Sequence, residues 1–233
     1  MQISKRLEAV AGMVTSGSFL ADIGTDHGYI PIYLIEHKRI PKAIAMDVNR
    51  GPLEKAKEHI MQAGLQDKIE TRLSDGLEKL KPDEAESILI AGMGGPLTVR
   101  ILSEGAGKLG AFRELILQPQ SDLKAVRAYL EREGWKIVRE EMIQEEGKFY
   151  PMMRAVPAEG EESKMTPIQL RFGPLLLANC HPVLKDYLLR EQRINEKILT
   201  SLEGQKSETA KARISEVEAE LAMVREALEV FGF

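Results

Sequence analysis

The sequence predicts an α/β fold: a doubly wound, mainly parallel sheet that ends in an antiparallel pair, with a helical segment after it. Three observations carry that expectation. From residue 19 to about residue 134, short apolar runs alternate with amphipathic helical patterns. The last two extended runs, "WKIVREEMI" and "FYPMMRAVP", are separated only by "QEEGK". Past the polar stretch "AEGEESK", Ala158 to Lys164, the pattern changes to long helices. Parallel neighbours need crossover connections, so the alternation implies helices on both faces of a parallel sheet, whereas the short link suits a hairpin.

Taken in order, Ile3, Leu7, Val10, Ala11 and Val14 fall at helical spacing and "TSGS" ends that helix. "FLADI" follows as a strand, then a helix from about Tyr29 to His37, the strand "AIAMD", and a helix from Pro52 to Ala63 stopped by Gly64. The strands "IETRLS" and "SILIA" come next, then a helix beginning near Pro96, the strand "ELILQ", and a helix from Asp122 to Glu133 stopped by Gly134. In the last helix Ile214, Val217, Leu221, Val224, Leu228 and Phe231 recur at steps of three and four, a coiled-coil seam. An earlier helix carries Leu184, Tyr187, Leu188, Ile194 and Ile198, and "EGQKSET" lets the two fold back as an antiparallel hairpin. Three heptads favour packing within the chain over an extended dimer, so a monomer is expected. The domain division expected is 1–160 and 161–233.

Composition excludes several classes. No stretch approaches the roughly 20 apolar residues that span a bilayer, and the amino terminus is amphipathic and mixed in charge, without a signal-peptide core. No membrane partner and a cytoplasmic location are expected. Cys180 is the single cysteine, read as a small, partly buried residue, and the four histidines are scattered without metal-ligand spacing, so no metal site is expected. The formal charge is −4. That figure hides a polarity: Lys164 to Arg213 holds nine Lys/Arg against five Asp/Glu, and Ile214 to Phe233 holds one Arg against five Glu. A basic segment in an acidic chain can still dock a polyanion, though a solvated helical face explains the same charges.

Ligands of a doubly wound sheet sit outside the carboxyl ends of the strands. The stretch "ADIGTDHGYIPIYLIE" ends the first strand in Asp22 and a turn from Gly24 to Gly28. Glycine there lets the backbone approach a ligand, and the helix behind it offers free N–H groups. Asp22 and Asp26 flank the turn; two carboxylates repel a pyrophosphate but suit the ammonium and sulfonium of S-adenosylmethionine, which also disfavours a dinucleotide oxidoreductase. Asp47, nineteen residues after Gly28, stands where an acid accepts both ribose hydroxyls. "SDG" places Asp75 to accept the adenine amino hydrogen, and "AGMGGP" opens the backbone at Gly92, Gly94 and Gly95. Each aspartate alone could equally cap a turn; their joint placement carries the reading. His27 has no carboxylate assigned to orient it and reads as a turn residue. Tyr29 either packs under the sheet or stacks on a substrate base, and Met93 either lines the pocket passively or touches the cofactor. The fourth strand lacks the Asn/Asp-Pro-Pro-aromatic turn of enzymes that methylate exocyclic amines; a ring nitrogen, with its own lone pair, needs positioning more than deprotonation.

With "ISKRLEAVA", "DIGTDHGYIP", "IAGMGG", "LILQPQ", "EEGKFYPM" and "RFGP" in this order, the chain resembles, over nearly its whole length, the TrmK family of bacterial tRNA (adenine-N1)-methyltransferases. The resemblance implies a Rossmann-like class I methyltransferase sheet, S-adenosylmethionine as cofactor, and methylation of N1 of adenosine 22 in the D arm of tRNA. The cofactor-binding residues it implies are Asp22, Gly24, Thr25, Asp26, His27, Gly28, Asp47, Val48, Asn49, Ser74, Asp75, Gly76, Gly92 and Met93. Asp26, Tyr29 and Gly94 are expected beside the reacting base. Lys5, Arg6, Lys185, Arg190, Arg193 and Lys197 are expected on the RNA backbone. Methylation of another RNA or a small molecule, or a non-catalytic cofactor-binding interaction module, remain the alternatives.

Overall fold

The structure, a computed structural model, describes residues 1–160, 164–205 and 207–232. It divides into two compact units, Met1–Lys164 and Met165–Phe233. The expected division after residue 160 adjoins residues 161–163, outside those described, as does residue 206 within the expected hairpin turn.

The first unit begins with α1 (Lys5–Ala11), whose first turn is capped by Ser4 accepting from the Leu7 N–H. The chain continues through β1 (Leu20–Ile23), α2 (Tyr29–Glu36), β2 (Ala43–Asp47), α3 (Arg50–Gln62), β3 (Ile69–Leu73) and β4 (Ser87–Ala91). Then come α4 (Gly95–Glu104), the short α5 (Ala106–Leu109), β5 (Glu114–Gln118), α6 (Leu123–Arg132), and the pair β6 (Trp135–Glu145) and β7 (Lys148–Pro157). The strands form one seven-stranded sheet in the order β3-β2-β1-β4-β5-β7-β6. The first five are parallel, and β7 runs antiparallel to both β5 and β6.

Every residue of β1, β2 and β5 is buried, as expected when helices cover both faces of a parallel sheet. Val10 and Ala11 of α1 join Leu20, Ile32, Ile60 and Ile116 in the core, which anchors the amino-terminal helix to the sheet. The order of strand addition reverses at the parallel pair β1 and β4: from β1 the chain winds outward to β2 and β3, and from β4 it winds the opposite way to β5. That reversal is the switch point where the carboxyl ends of neighbouring strands part and leave a crevice.

The second unit contains α7 (Pro167–Phe172), α8 (Pro174–Ala178), α9 (Pro182–Leu202) and α10 (Glu208–Glu229). A capping box opens α7: the Gln169 N–H donates to Thr166 Oγ1 and the Thr166 N–H donates to Gln169 Oε1. The long helices pack on each other through Val217, Leu221, Val224 and Leu228 of α10 and Leu184 and Leu188 of α9, all buried. One expected seam position is corrected. Ile194 is 38% exposed, while Asn195 is 5% exposed and takes the inner place. Cys180, expected to be partly buried, is exposed. The short helices α5, α7 and α8 were absent from the sequence expectation, since four to six residues display too little of a 3.6-residue period to be read. Among the described residues no helix is long and apolar enough to cross a membrane.

Candidate functional site

A cavity of about 670 Å³ opens at the switch point, over the carboxyl ends of the parallel strands, within the size range of small-molecule sites. The turn after β1 contributes Asp22, Gly24, Thr25, Asp26, His27 and Tyr29; the end of β2 contributes Asp47, Val48 and Asn49. Beyond β3 stand Ser74, Asp75 and Gly76, beyond β4 Gly92 and Met93, and Arg6 of α1 and Gln120 close the far side. Gly28 and Gly94 are not on the wall. Gly28 is buried at the start of α2, with φ of 72°, where a Cβ would meet that of Ala56 at 3.3 Å. Gly94 faces Ser121, whose Oγ would lie 3.2 Å from a Cβ there.

The β1 turn is shaped to admit a ligand and to hold charge against it. Gly24 has φ of 72°, and its N–H and that of Thr25 both donate to the Met46 carbonyl, at 2.8 and 2.9 Å, which pins the turn to β2. A side chain at Gly24 would collide with Met93 Cε. Asp22 beneath it is 4% exposed and accepts from Thr25 Oγ1 at 2.6 Å. Burial pushes the Asp22 carboxyl up to about 7; the Thr25 hydrogen bond opposes the rise, and the charge of Asp47 adds to it. Asp47 is itself buried, with Oδ2 accepting from the Asp26 N–H at 3.3 Å and Oδ1 from the Asn49 N–H at 2.8 Å. Asp26 adopts a left-handed conformation, φ 54°, which leaves its side chain 67% exposed.

Further along the rim, Ser74 is buried and structural, donating to the Gly76 carbonyl and accepting from the Lys79 N–H, both at 3.1 Å. Asp75 is exposed and pairs with Arg100 at 3.2 Å. Val48 is 56% exposed beside them, an apolar surface available to a flat ring. His27 differs from expectation: its Nε2 lies 3.4 Å from Asp26 Oδ2, so a carboxylate does stand beside it. The Tyr29 ring lines the cavity and stacks at 5.3 Å on His27 and at 5.3 Å on His59.

The β4–β5 side is built from amides. Gly92, with φ of 80°, donates its N–H to the Gln118 carbonyl at 3.0 Å and lies 3.2 Å from Gln118 Oε1, which also accepts from Arg6 Nη1 at 3.0 Å. The Arg6 guanidinium sits 5.6 Å from the centre of the Tyr150 ring. Lys5 is exposed, away from the cavity wall, and its N–H donates to Glu145. Lys185, Arg190, Arg193 and Lys197 all lie on α9, the last three exposed. Among the described residues no group of three or more His, Cys, Asp or Glu is placed to hold a metal ion.

Residues 3–153 match the family model of the methyltransferase domain. The chain is 39% identical over 155 residues to a Bacillus subtilis tRNA (adenine(22)-N(1))-methyltransferase, a match that spans 66% of this chain and 65% of that protein. Its fold also superposes on the crystal structure of the B. subtilis m1A22 tRNA methyltransferase TrmK with a TM-score of 0.86 and 31% identity, covering 97% of this chain and 99% of that one. The chain belongs to the TrmK family. A Streptococcus pneumoniae protein solved in complex with S-adenosyl-L-methionine is 36% identical, with a TM-score of 0.86, over 97% of this chain and 100% of that one.

Outside the sequence reading lay Gln120 and Arg100, which line this TrmK-family cavity, and Gln118 and His59, which touch its lining residues from behind. Gln118 and Gln120 follow from the same strand-end rule that found the aspartates, applied to the end of "ELILQ". Arg100 and His59 reach the site from helices α4 and α3, and no spacing in the sequence points to them.

Proposed function

We propose that this chain transfers the methyl group of S-adenosylmethionine to N1 of adenosine 22 in the D arm of tRNA. The observation that carries the reading is the pair of buried carboxylates, Asp22 and Asp47, under a glycine turn at the switch point of a TrmK-family chain. The donor set fits the cofactor. Asp22, raised toward neutrality by burial and by the neighbouring charge of Asp47, gains most from a ligand that brings its own positive charge. Gly24 leaves room for the ligand's amino-acid end, Asp47 accepts from the ribose hydroxyls, Val48 lies against the adenine face, and Asp75 accepts from its amino group once released by Arg100.

When bound, S-adenosylmethionine supplies an electrophilic methyl group on sulfur. The chain's part is to orient and to compensate charge. The Gly92–Met93 turn leaves the backbone open beside the reacting centre, Gly94 holds that turn against Ser121, and Tyr29 supplies a ring for the incoming base. Asp26, exposed at the rim beside His27, offsets the positive charge that N1 methylation leaves on adenine. Adenine N1 is a Watson–Crick acceptor, so the base must be unpaired or flipped before its lone pair is available. Binding of the tRNA backbone supplies that cost, through Lys5 and Arg6 of α1 and through Lys185, Arg190, Arg193 and Lys197 of the coiled-coil-like helical hairpin. The chain acts as a monomer in the cytoplasm and without a metal, on this reading. It is tested by incubating the protein with labelled S-adenosylmethionine and unmodified tRNA, digesting to nucleosides, and mapping reverse-transcription stops. Label in 1-methyladenosine with a stop at position 22 is expected; label in another nucleoside, or none, contradicts the reading.

A further inference from the structure

We propose that Gln120 is the residue that selects adenine, its side-chain amide pairing with N6 and N7 of the target base while N1 stays free. This rests on the reading of methyl transfer to adenine N1 given above.

The cavity has two chemically distinct walls. The ends of β1 and β2 present the buried aspartates, whereas the side facing β4 and β5 presents Gly92, Gln120 and Arg6. A cationic cofactor belongs with the acids, which leaves the amide wall for the substrate. Among the lining residues, two side-chain amides, those of Asn49 and Gln120, make no hydrogen bond to another described residue. Asn49 stands beside Asp47 at the end of β2, on the acidic wall. Gln120 stands opposite, exposed, on the β5 side.

Its surroundings fix its backbone and leave its head free. The Gln120 N–H donates to the Met93 carbonyl at 2.8 Å, and the Gly92 N–H donates to the Gln118 carbonyl at 3.0 Å, so the loops after β4 and β5 are laced together. The neighbouring amide of Gln118 is already committed, its oxygen accepting from Gly92 and from Arg6. The head of Gln120 stands over the Gly92 turn: a Cβ at Gly92 would lie 3.8 Å from Gln120 Nε2, an ordinary contact distance.

The chemistry then narrows the partner. N1 of the target must be left unpaired to react, so the edge that remains readable carries the N6 hydrogens and the N7 acceptor. A side-chain amide matches that edge with one acceptor and one donor, the pairing by which Gln and Asn read adenine elsewhere. Guanine presents two acceptors there, O6 and N7, and would set O6 against Gln120 Oε1. Arg6 offers only donors, which suit guanine, and its guanidinium is held back by Gln118.

The test uses the whole chain and tRNA transcripts carrying adenosine or 7-deazaadenosine at position 22, with wild type and Gln120→Leu compared by kcat/KM and by calorimetric affinity for S-adenosylmethionine. Loss of N7 is expected to lower wild-type kcat/KM by about tenfold, the worth of half of a bidentate base contact. Gln120→Leu is expected to show a loss at least as large on adenosine, no further loss on 7-deazaadenosine, and an unchanged cofactor affinity. A wild type indifferent to N7, a leucine variant with full kcat/KM, an N7 penalty that persists in the variant, or a variant with weakened cofactor affinity would each overturn the assignment. A wild type that makes no 1-methyladenosine on any tRNA would instead sink the functional reading, and the inference with it.

Discussion

On the proposed reading Asp22 ties cofactor affinity to pH, because burial holds its carboxyl near 7 in the free protein. A cationic ligand favours the ionised form, so binding should draw a proton off this group. S-adenosylmethionine affinity is expected to rise between pH 6 and pH 8 and to level off above the Asp22 midpoint, with proton release seen as buffer-dependent calorimetric enthalpy near pH 6.5. Flat affinity over that range would contradict the assignment. Stability runs the other way. The folded carboxyl titrates above its ordinary value of 3.8, so the folded state holds the extra proton between the two midpoints. Stability is therefore greatest below the unfolded value and is lost as pH rises toward about 7. Asp22→Asn, which keeps an acceptor for Thr25, should be more stable than wild type at pH 8 by at most roughly 4 kcal/mol, read as a higher melting temperature, while binding the cofactor more weakly. Asp47→Ala removes an acceptor and should weaken cofactor binding by about tenfold to a hundredfold, the worth of a charge-assisted hydrogen bond. The aspartates were legible in sequence because strand ends and glycine turns mark the ligand side of such sheets. The His27–Asp26 contact was not, because it depends on a left-handed backbone at a non-glycine residue, which neighbouring residues do not dictate.

At the scale of elements, the turns that frame the cavity depend on close backbone approach. A Cβ at Gly95, the first residue of α4, would lie 2.4 Å from the Ser121 carbonyl oxygen and 2.7 Å from that of Asp122, neither of which can swing away like a side chain. Gly95→Ala is expected to destabilise by about 1–3 kcal/mol through overpacking, read as a lowered urea midpoint; an unchanged midpoint would show that the β4 and β5 loops can part. In the helical hairpin, Asn195 is buried and its Nδ2 has no hydrogen-bond partner among the described residues. Asn195→Leu removes that orphan donor and should stabilise the hairpin by about 1 kcal/mol, visible as a higher melting temperature, while giving up the register that one buried polar group imposes. A lower melting temperature would mean that Asn195 is satisfied after all. The heptad pattern told the buried face of α10 at Val217, Leu221, Val224 and Leu228, whose apolar positions agree with one another, while Ile214 is half-buried and Phe231 lies past the end of the helix. The α9 pattern was irregular, so it could not distinguish Ile194 from its neighbour.

For the molecule as a whole, charge is divided along the chain, with the excess of Lys and Arg in Lys164 to Arg213 and the excess of Glu in Ile214 to Phe233. Replacing Arg190, Arg193 and Lys197 together by Glu should weaken tRNA binding and flatten its dependence on salt, since every phosphate no longer neutralised by a side chain keeps its condensed counterion. S-adenosylmethionine affinity should not change; if it fell while tRNA binding held, the division of labour would be reversed. The alternating strands and helices made the main sheet and its terminal hairpin readable; the strand-end rule reaches Gln120 too, but its place opposite the acids shows only when β5 is laid beside β4. The proposed chemistry requires an acid-lined glycine turn that takes a sulfonium compound and refuses a diphosphate. Calorimetric titration of wild-type protein with S-adenosylmethionine and with NAD tests this most directly. S-adenosylmethionine should bind at least about a hundredfold tighter, a difference near 2.7 kcal/mol; NAD binding with S-adenosylmethionine excluded would contradict it.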